Sequence, residues 1–280
     1  MKHNFFLSLT IAMAVSVIFL TGCGGGTIDQ KANEEAADSI KKEMTLTPEA
    51  RNLLYDLPTP FEITEMLKQA QAGYIFDITN SPENVDKYIT EKSRAMNLGV
   101  YSADLAYSAT YRQIDNTNKF LVCTSVLSNE LGIAGVYQPN LVEKVKEFNN
   151  NKDSLVALVS NIFISTNDFL SKNNRNQVTV YIASGAFVEG LYLASSLNIV
   201  AKDNTQISEV ILKQADNYSK MMMILDLYQN DEVMKSLYDE MFDLKSVFTD
   251  FVQEPGKPLT KEKAFEINDL IENVRNYFIQ

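Results

Sequence analysis

The sequence predicts an all-α fold, about ten antiparallel helices in an irregular bundle or short solenoid-like array. Apolar residues recur at alternating spacings of three and four along most of the chain, as they do on one face of a helix. Several segments also open with residues that cap free helix amides. Only Gln177–Tyr181, with Val178, Thr179 and Val180 in succession, has a strand-like run, and its continuation into Ala183–Leu197 favours a buried helix.

In chain order, residues 1–22 carry the parts of a secretory signal: Lys2, an apolar run from Phe5 to Leu20 and a small-residue end. Leu20-Thr21-Gly22-Cys23 resembles the lipobox of bacterial lipoproteins. That resemblance implies cleavage before Cys23, diacylglycerol on its sulfur and a fatty acyl chain such as palmitate on its amine. Gly24-Gly25-Gly26 would end any helix there, which argues against an uncleaved N-terminal anchor. Each buried acyl methylene adds about 0.8 kcal/mol, so two or three chains hold a protein firmly to a bilayer. Residues 23–46, glycine-rich and then densely charged, read as a flexible tether reaching roughly 25 Å. Beyond the leader, no segment reaches the roughly 18 apolar residues needed to cross a bilayer. By resemblance to bacterial sorting rules, Gly24 rather than Asp after the cysteine implies the outer membrane, on either its periplasmic or its surface face.

The helical domain is expected over 47–280. Thr59-Pro60-Phe61-Glu62 combines a capping Thr, Pro at the first helical position and a Glu that reaches back to the cap. Ser81-Pro82-Glu83 is expected to open the next helix, closing near Asn97-Leu98-Gly99 through a left-handed glycine. Further helices are expected at about 100–112, 116–131, 139–149, 153–171, 176–198 and 205–229. The stripe Ile207, Ile211, Ala215, Tyr218, Met222, Leu225 marks the last of these. Met234, Leu237, Met241, Leu244, Phe248 and Phe251 mark another over 231–252. Thr260 opens the final helix, with the stripe Ala264, Ile267, Ile271, Val274, Phe278.

Composition excludes whole classes of mechanism. Among 280 residues there is one histidine, His3, which leaves with the leader, so no imidazole remains for a Ser-His-Asp triad, a zinc site or a proton relay. Of two cysteines, Cys23 takes the lipid, and Cys123 sits in Phe120-Leu121-Val122-Cys123 as a buried small hydrophobe. The formal charge of −11 grows more negative when Lys2 is removed, which repels phosphate backbones, so no nucleic-acid partner is expected. No phosphate loop, metal-type cysteine pair or calcium loop occurs, and neither cofactor nor metal is expected. Met221-Met222-Met223 reads as core packing.

Two segments stand apart. Gly99–Tyr111 and Ala183–Ser195 are crowded with Gly, Ala and Ser, and each carries one acid with a tyrosine three residues later: Asp104 with Tyr107, and Glu189 with Tyr192. Residues three apart share a helix face, and Tyr101 and Tyr111 extend the first stripe. An acid in so apolar a helix must be hydrogen bonded, paired or protonated. Either the two are satisfied core acids, bonded to tyrosines, backbone amides or a base such as Arg94 or Arg112, or both stripes face a common cavity. Such a cavity would bind a polar ligand or an oxygen-liganded cation through Tyr101, Asp104, Tyr107, Tyr111, Glu189 and Tyr192. A paired-carboxylate hydrolase is the third reading, disfavoured by the absence of Trp platforms.

With the lipobox, the tether, Pro60-Phe61-Glu62, Gly99–Tyr107 and Glu189-Gly190-Leu191-Tyr192 in view, the chain resembles a group of uncharacterised all-helical lipoproteins of Gram-negative anaerobic bacteria over most of 50–280. The resemblance implies an anchor at Cys23 and an all-α fold and transfers no catalytic residue. The functional expectation is a non-enzymatic, lipid-anchored interaction or scaffold module of the cell envelope with an envelope protein as partner. The alternative is a binding lipoprotein for a small polar ligand or cation.

Overall fold

A computed structural model describes residues 47–136, 140–148, 151–228, 231–249 and 258–280. The leader, Cys23, the 23–46 tether, Phe251 and Glu254-Pro255-Gly256-Lys257 lie outside the described residues. The architecture is all-α. In order, the helices are α1 (Pro48–Tyr55), α2 (Pro60–Gln69), α3 (Glu91–Thr110), α4 (Ile114–Glu130), α5 (Leu141–Glu147), α6 (Lys152–Lys172) and α7 (Asn176–Val200). They continue as α8 (Thr205–Leu212), α9 (Ala215–Asp226), α10 (Glu232–Phe242), α11 (Lys245–Thr249) and α12 (Lys261–Ile279), with short 3₁₀ turns at Pro82–Lys87 and Ala134–Val136.

Capping sets the helix starts. Thr47 accepts from the Ala50 amide, Thr59 and Glu62 form the reciprocal box before Pro60, and Thr260 accepts from the Lys263 amide. Thr90 and Ser93 form a second box that opens α3 at Glu91. At the other ends, the residues after α2, α3, α4 and α6 take left-handed backbone at Gln71, Arg112, Gly132 and Asn174. Each is followed by an amide reaching back five residues: Ala72 to Leu67 O, Gln113 to Ser108 O, Ile133 to Ser128 O and Arg175 to Leu170 O. Only one of the four is glycine.

α3 and α7 form the centre. They make the most extensive helix pair; α2, α4 and α6 also pack on α3, while α8 and α12 pack on α7. From Ala95 to Thr110 only Ser102 of α3 is not buried, and α7 is covered almost throughout. The close crossing has a specific cause. A Cβ on Gly99 would lie 2.0 Å from the Ile182 carbonyl oxygen, and one on Gly185 would lie 2.0 Å from the Met96 carbonyl oxygen. Each helix offers a glycine to the other's backbone, which brings the axes nearer than side chains would allow.

Several expectations are corrected here. Ser81-Pro82-Glu83 opens a short 3₁₀ turn rather than a long helix, and Gly99 lies mid-helix, where it serves the crossing instead of a closure. The 205–229 segment breaks at Lys213 and Gln214, and the 231–252 segment breaks between α10 and α11. The stripes hold nonetheless: Met234, Leu237, Met241 and Leu244 are buried, as are Ala264, Ile267, Ile271, Val274 and Phe278. Met221 is buried while Met223 faces out, and Cys123 is buried, with burial pushing its thiol up to about 12. By length and composition, two helix segments are apolar enough to cross a membrane, Asn176–Val200 and Ser154–Lys172, more than a count of apolar runs had indicated. The first is enclosed by its neighbours and is a core helix; the second, within α6, exposes Asn161, Ile164 and Ser165.

The crossing makes a sharp prediction. Gly99→Ala and Gly185→Ala should each cost about 3 kcal/mol or more, because backbone, not a flexible side chain, must move. Gly73→Ala, with no atom within 4 Å of the added methyl, should change stability by less than about 0.5 kcal/mol. Equilibrium urea denaturation of the three variants checks the contrast.

Candidate functional site

The polar stripe of α3 has a single target. Tyr111 donates from its hydroxyl to Ala72 O (2.8 Å), Tyr107 accepts from the Ile75 amide (2.8 Å), Asp104 Oδ2 accepts from the Asn80 amide (3.1 Å) and Tyr101 donates to Ser81 O (2.7 Å). The partners ascend in sequence as the helix residues descend. The irregular segment 72–81 therefore lies antiparallel along α3, its backbone groups satisfied by side chains one or two turns apart. A buried loop must find such partners or leave costly unpaired amides and carbonyls. The tyrosines are spent on the protein's own chain, and burial raises the pKa of Tyr101, Tyr107 and Tyr111.

Asn80 extends the network inward. Its side chain donates to Tyr88 Oη (2.9 Å) and accepts from Asn84 (2.9 Å), and Asn97 beside it donates to Phe278 O at 2.7 Å. That last bond satisfies a carbonyl near the end of α12, where the helix has no amide to offer.

The second stripe turns to α12. Arg275 Nε donates to Glu189 Oε2 at 2.6 Å, and its terminal Nη2 donates to Oε1 at 2.9 Å. Tyr192 lies one turn on from Glu189, its ring centroid 4.1 Å from the guanidinium carbon. Asn268 on the same helix accepts from Ser195 and Ser196. Glu189 and Asp104 are wholly enclosed, and Arg275 is 6% exposed.

The two acids are neighbours in the buried centre, both without solvent exposure. Burial first, and then the Glu189 charge, hold the Asp104 carboxyl well above the usual carboxylate range, against the pull of Arg275 and the Asn80 amide. Asp104 Oδ1 has no donor among the described residues. The bidentate guanidinium fork of Arg275 is occupied by both Glu189 oxygens, which leaves Asp104 as the acid that keeps its proton, with Oδ1 the oxygen free to carry it.

Both expected stripes thus converge, but on each other rather than on a cavity. Neither acid lines any of the described cavities. Arg275 was missed in the sequence; Arg94, offered there as a partner, bonds Glu130 and Tyr88 O instead. No group of three His, Cys, Asp or Glu residues suited to a metal ion occurs among the described residues. A separate open cleft of about 610 Å³, unmarked by any motif, lies between segment 70–75 and the α7–α8 junction. No family model matches the chain, and neither a curated protein nor a solved structure matches it.

Arg275→Ala should cost about 3–5 kcal/mol, because it leaves a buried carboxylate pair without its cation. Asp104→Asn keeps a donor beside Glu189 and should cost less than about 1.5 kcal/mol. Linkage gives the pH dependence. A carboxyl whose folded pKa lies above its unfolded value contributes stability that is complete below the unfolded value, 3.8. That contribution is lost as pH rises through the folded value. Denaturation across acid to alkaline pH should therefore show Asp104→Asn gaining on the wild type as pH rises.

Proposed function

We propose that this chain is a lipid-anchored protein of the cell envelope whose helical body binds a partner without catalysing a reaction. The anchor rests on Leu20-Thr21-Gly22-Cys23 and the glycine-rich, charged tether that follows, together with the resemblance to helical envelope lipoproteins. Gly24 after the cysteine favours the outer membrane.

One observation carries the non-enzymatic part. A carboxylate-pair hydrolase needs two acids that flank a substrate, with room for water or a nucleophilic approach. Here the two acids are neighbours with no solvent exposure, enclosed with Arg275 at the junction of α3, α7 and α12. They act as a clasp between helices. Both the polar-ligand pocket and the oxygen-liganded cation site imagined at Asp104 and Glu189 lose their ground for the same reason, since Arg275 already supplies the positive charge. What the body offers outside is an acidic surface, which suits docking of an envelope protein more than contact with anionic headgroups.

Growth with radiolabelled palmitate tests the anchor. The wild type should incorporate label and partition with outer membranes, while Cys23→Ala should lose both. Label and membrane partition retained by Cys23→Ala would remove the anchor from the account. Chemical crosslinking in intact cells tests the partner, expected to give the same envelope protein in repeated experiments with the wild type and a reduced yield with Cys23→Ala. No recurring adduct would leave the docking role unsupported.

A further inference from the structure

The cleft beside the α7–α8 junction stands apart from the carboxyl clasp and has the makings of a ligand site. Its volume of about 610 Å³ falls in the range of small-molecule pockets. Both walls are fixed by bonds already described or by others like them. On one side, Ala72 and Ile75 are pinned to Tyr111 and Tyr107, and the hydroxyl of Tyr74 accepts from Asn116 at 2.9 Å while its ring stacks on Tyr107 at 4.6 Å. On the other, one Asp203 oxygen accepts from the Thr205 amide and hydroxyl, and buried Asn204 donates to Leu259 O. A cavity with held walls loses little ordering entropy when it is filled.

The side chains on those walls are uncommitted. Gln71, Lys202 and Gln206 line the cleft and are exposed, and none makes a side-chain hydrogen bond or ion pair within the described residues. Asp203 keeps its second oxygen. The group comprises two amides, each donor and acceptor, one ammonium and one carboxylate adjacent in sequence. Tyr74, Ile75 and Val200 add apolar surface between them.

Charge narrows the class. A formal charge of −11 does not gather anionic ligands, and a metal cation would meet a single carboxylate with an ammonium next to it. A neutral polyol fits: every hydroxyl both donates and accepts, as the two amides do, adjacent hydroxyls can bridge a carboxylate and an ammonium, and ring C–H faces pack on Tyr74 and Val200. We propose that this cleft binds a short neutral oligosaccharide, hydrogen bonded by Gln71, Lys202, Asp203 and Gln206. The proposal goes beyond membrane anchorage and protein docking and is independent of both, because binding is measured on the purified chain whether or not Cys23 is lipidated.

The absence of Trp supplies the experiment. Val200 is 63% exposed at the cleft, so Val200→Trp installs a single emitter at low structural cost. The full chain, purified in the sugar-free detergent lauryldimethylamine oxide, is titrated with maltotriose, cellotriose and N-acetylchitotriose, and in parallel with alanylalanine and glucuronic acid. At least one neutral trisaccharide should shift the emission saturably, and the combined change Lys202→Ala with Gln206→Ala should weaken it at least about tenfold while the helical circular dichroism stays unchanged. Calorimetric titration of the chain with Val200 intact should give the same ranking and rules out interference by the new indole. Absence of any response to the three sugars by both methods overturns the proposal. So does a response that survives the double substitution, or an equal or stronger one to the dipeptide or the acidic sugar.

Discussion

Two carboxyls and one guanidinium are enclosed where α3, α7 and α12 meet, and their mutual satisfaction is what allows the centre of the molecule to be so tightly closed. Glycines at 99 and 185 bring the backbones of α3 and α7 together, and the same approach brings Asp104 on one helix up to Glu189 on the other. Three charges there would leave a net negative centre in a medium that solvates it poorly. Keeping a proton on Asp104 resolves this: the guanidinium balances a single carboxylate, and the second acid is neutral. Position, protonation and packing are therefore one problem with one solution.

From that clasp the remaining structure follows outward. Arg275 and Asn268 fasten α12 to α7, and Asn97 receives the end of α12 on α3. Asp104 also holds Asn80, which places 72–81 along α3, where Tyr101, Tyr107 and Tyr111 complete the attachment. The same tyrosine bonds fix the start of that segment as one wall of the open cleft. The buried core network and the open cleft are linked by ten residues of irregular chain, held along α3 by side-chain hydrogen bonds.

The fold was largely legible because helix periodicity and capping are local. The stripes at 234–248 and 264–278 and the starts at Thr59 and Thr260 needed no tertiary information. Helix ends were harder. Gln71, Arg112 and Asn174 close helices with left-handed backbone that glycine would signal and these residues do not, while Gly99 has the residue type of a closure and the job of a close approach. The acids and tyrosines at spacings of three were likewise visible, but not what they face. Arg275 lies 86 residues from Glu189, and only the docking of α12 brings it there. The backbone of 72–81 carries no side-chain signature of its role as the partner of the α3 stripe.

The central claim is that Asp104 remains a neutral acid inside the folded protein, beside Glu189. Infrared spectroscopy at neutral pH tests it most directly, by subtracting the spectrum of Asp104→Asn from that of the wild type. A carbonyl stretch of a protonated carboxylic acid present in the wild type and absent from the variant is the expected result. A wild-type spectrum without that band, or a band that persists unchanged in Asp104→Asn, would contradict the neutral-acid clasp.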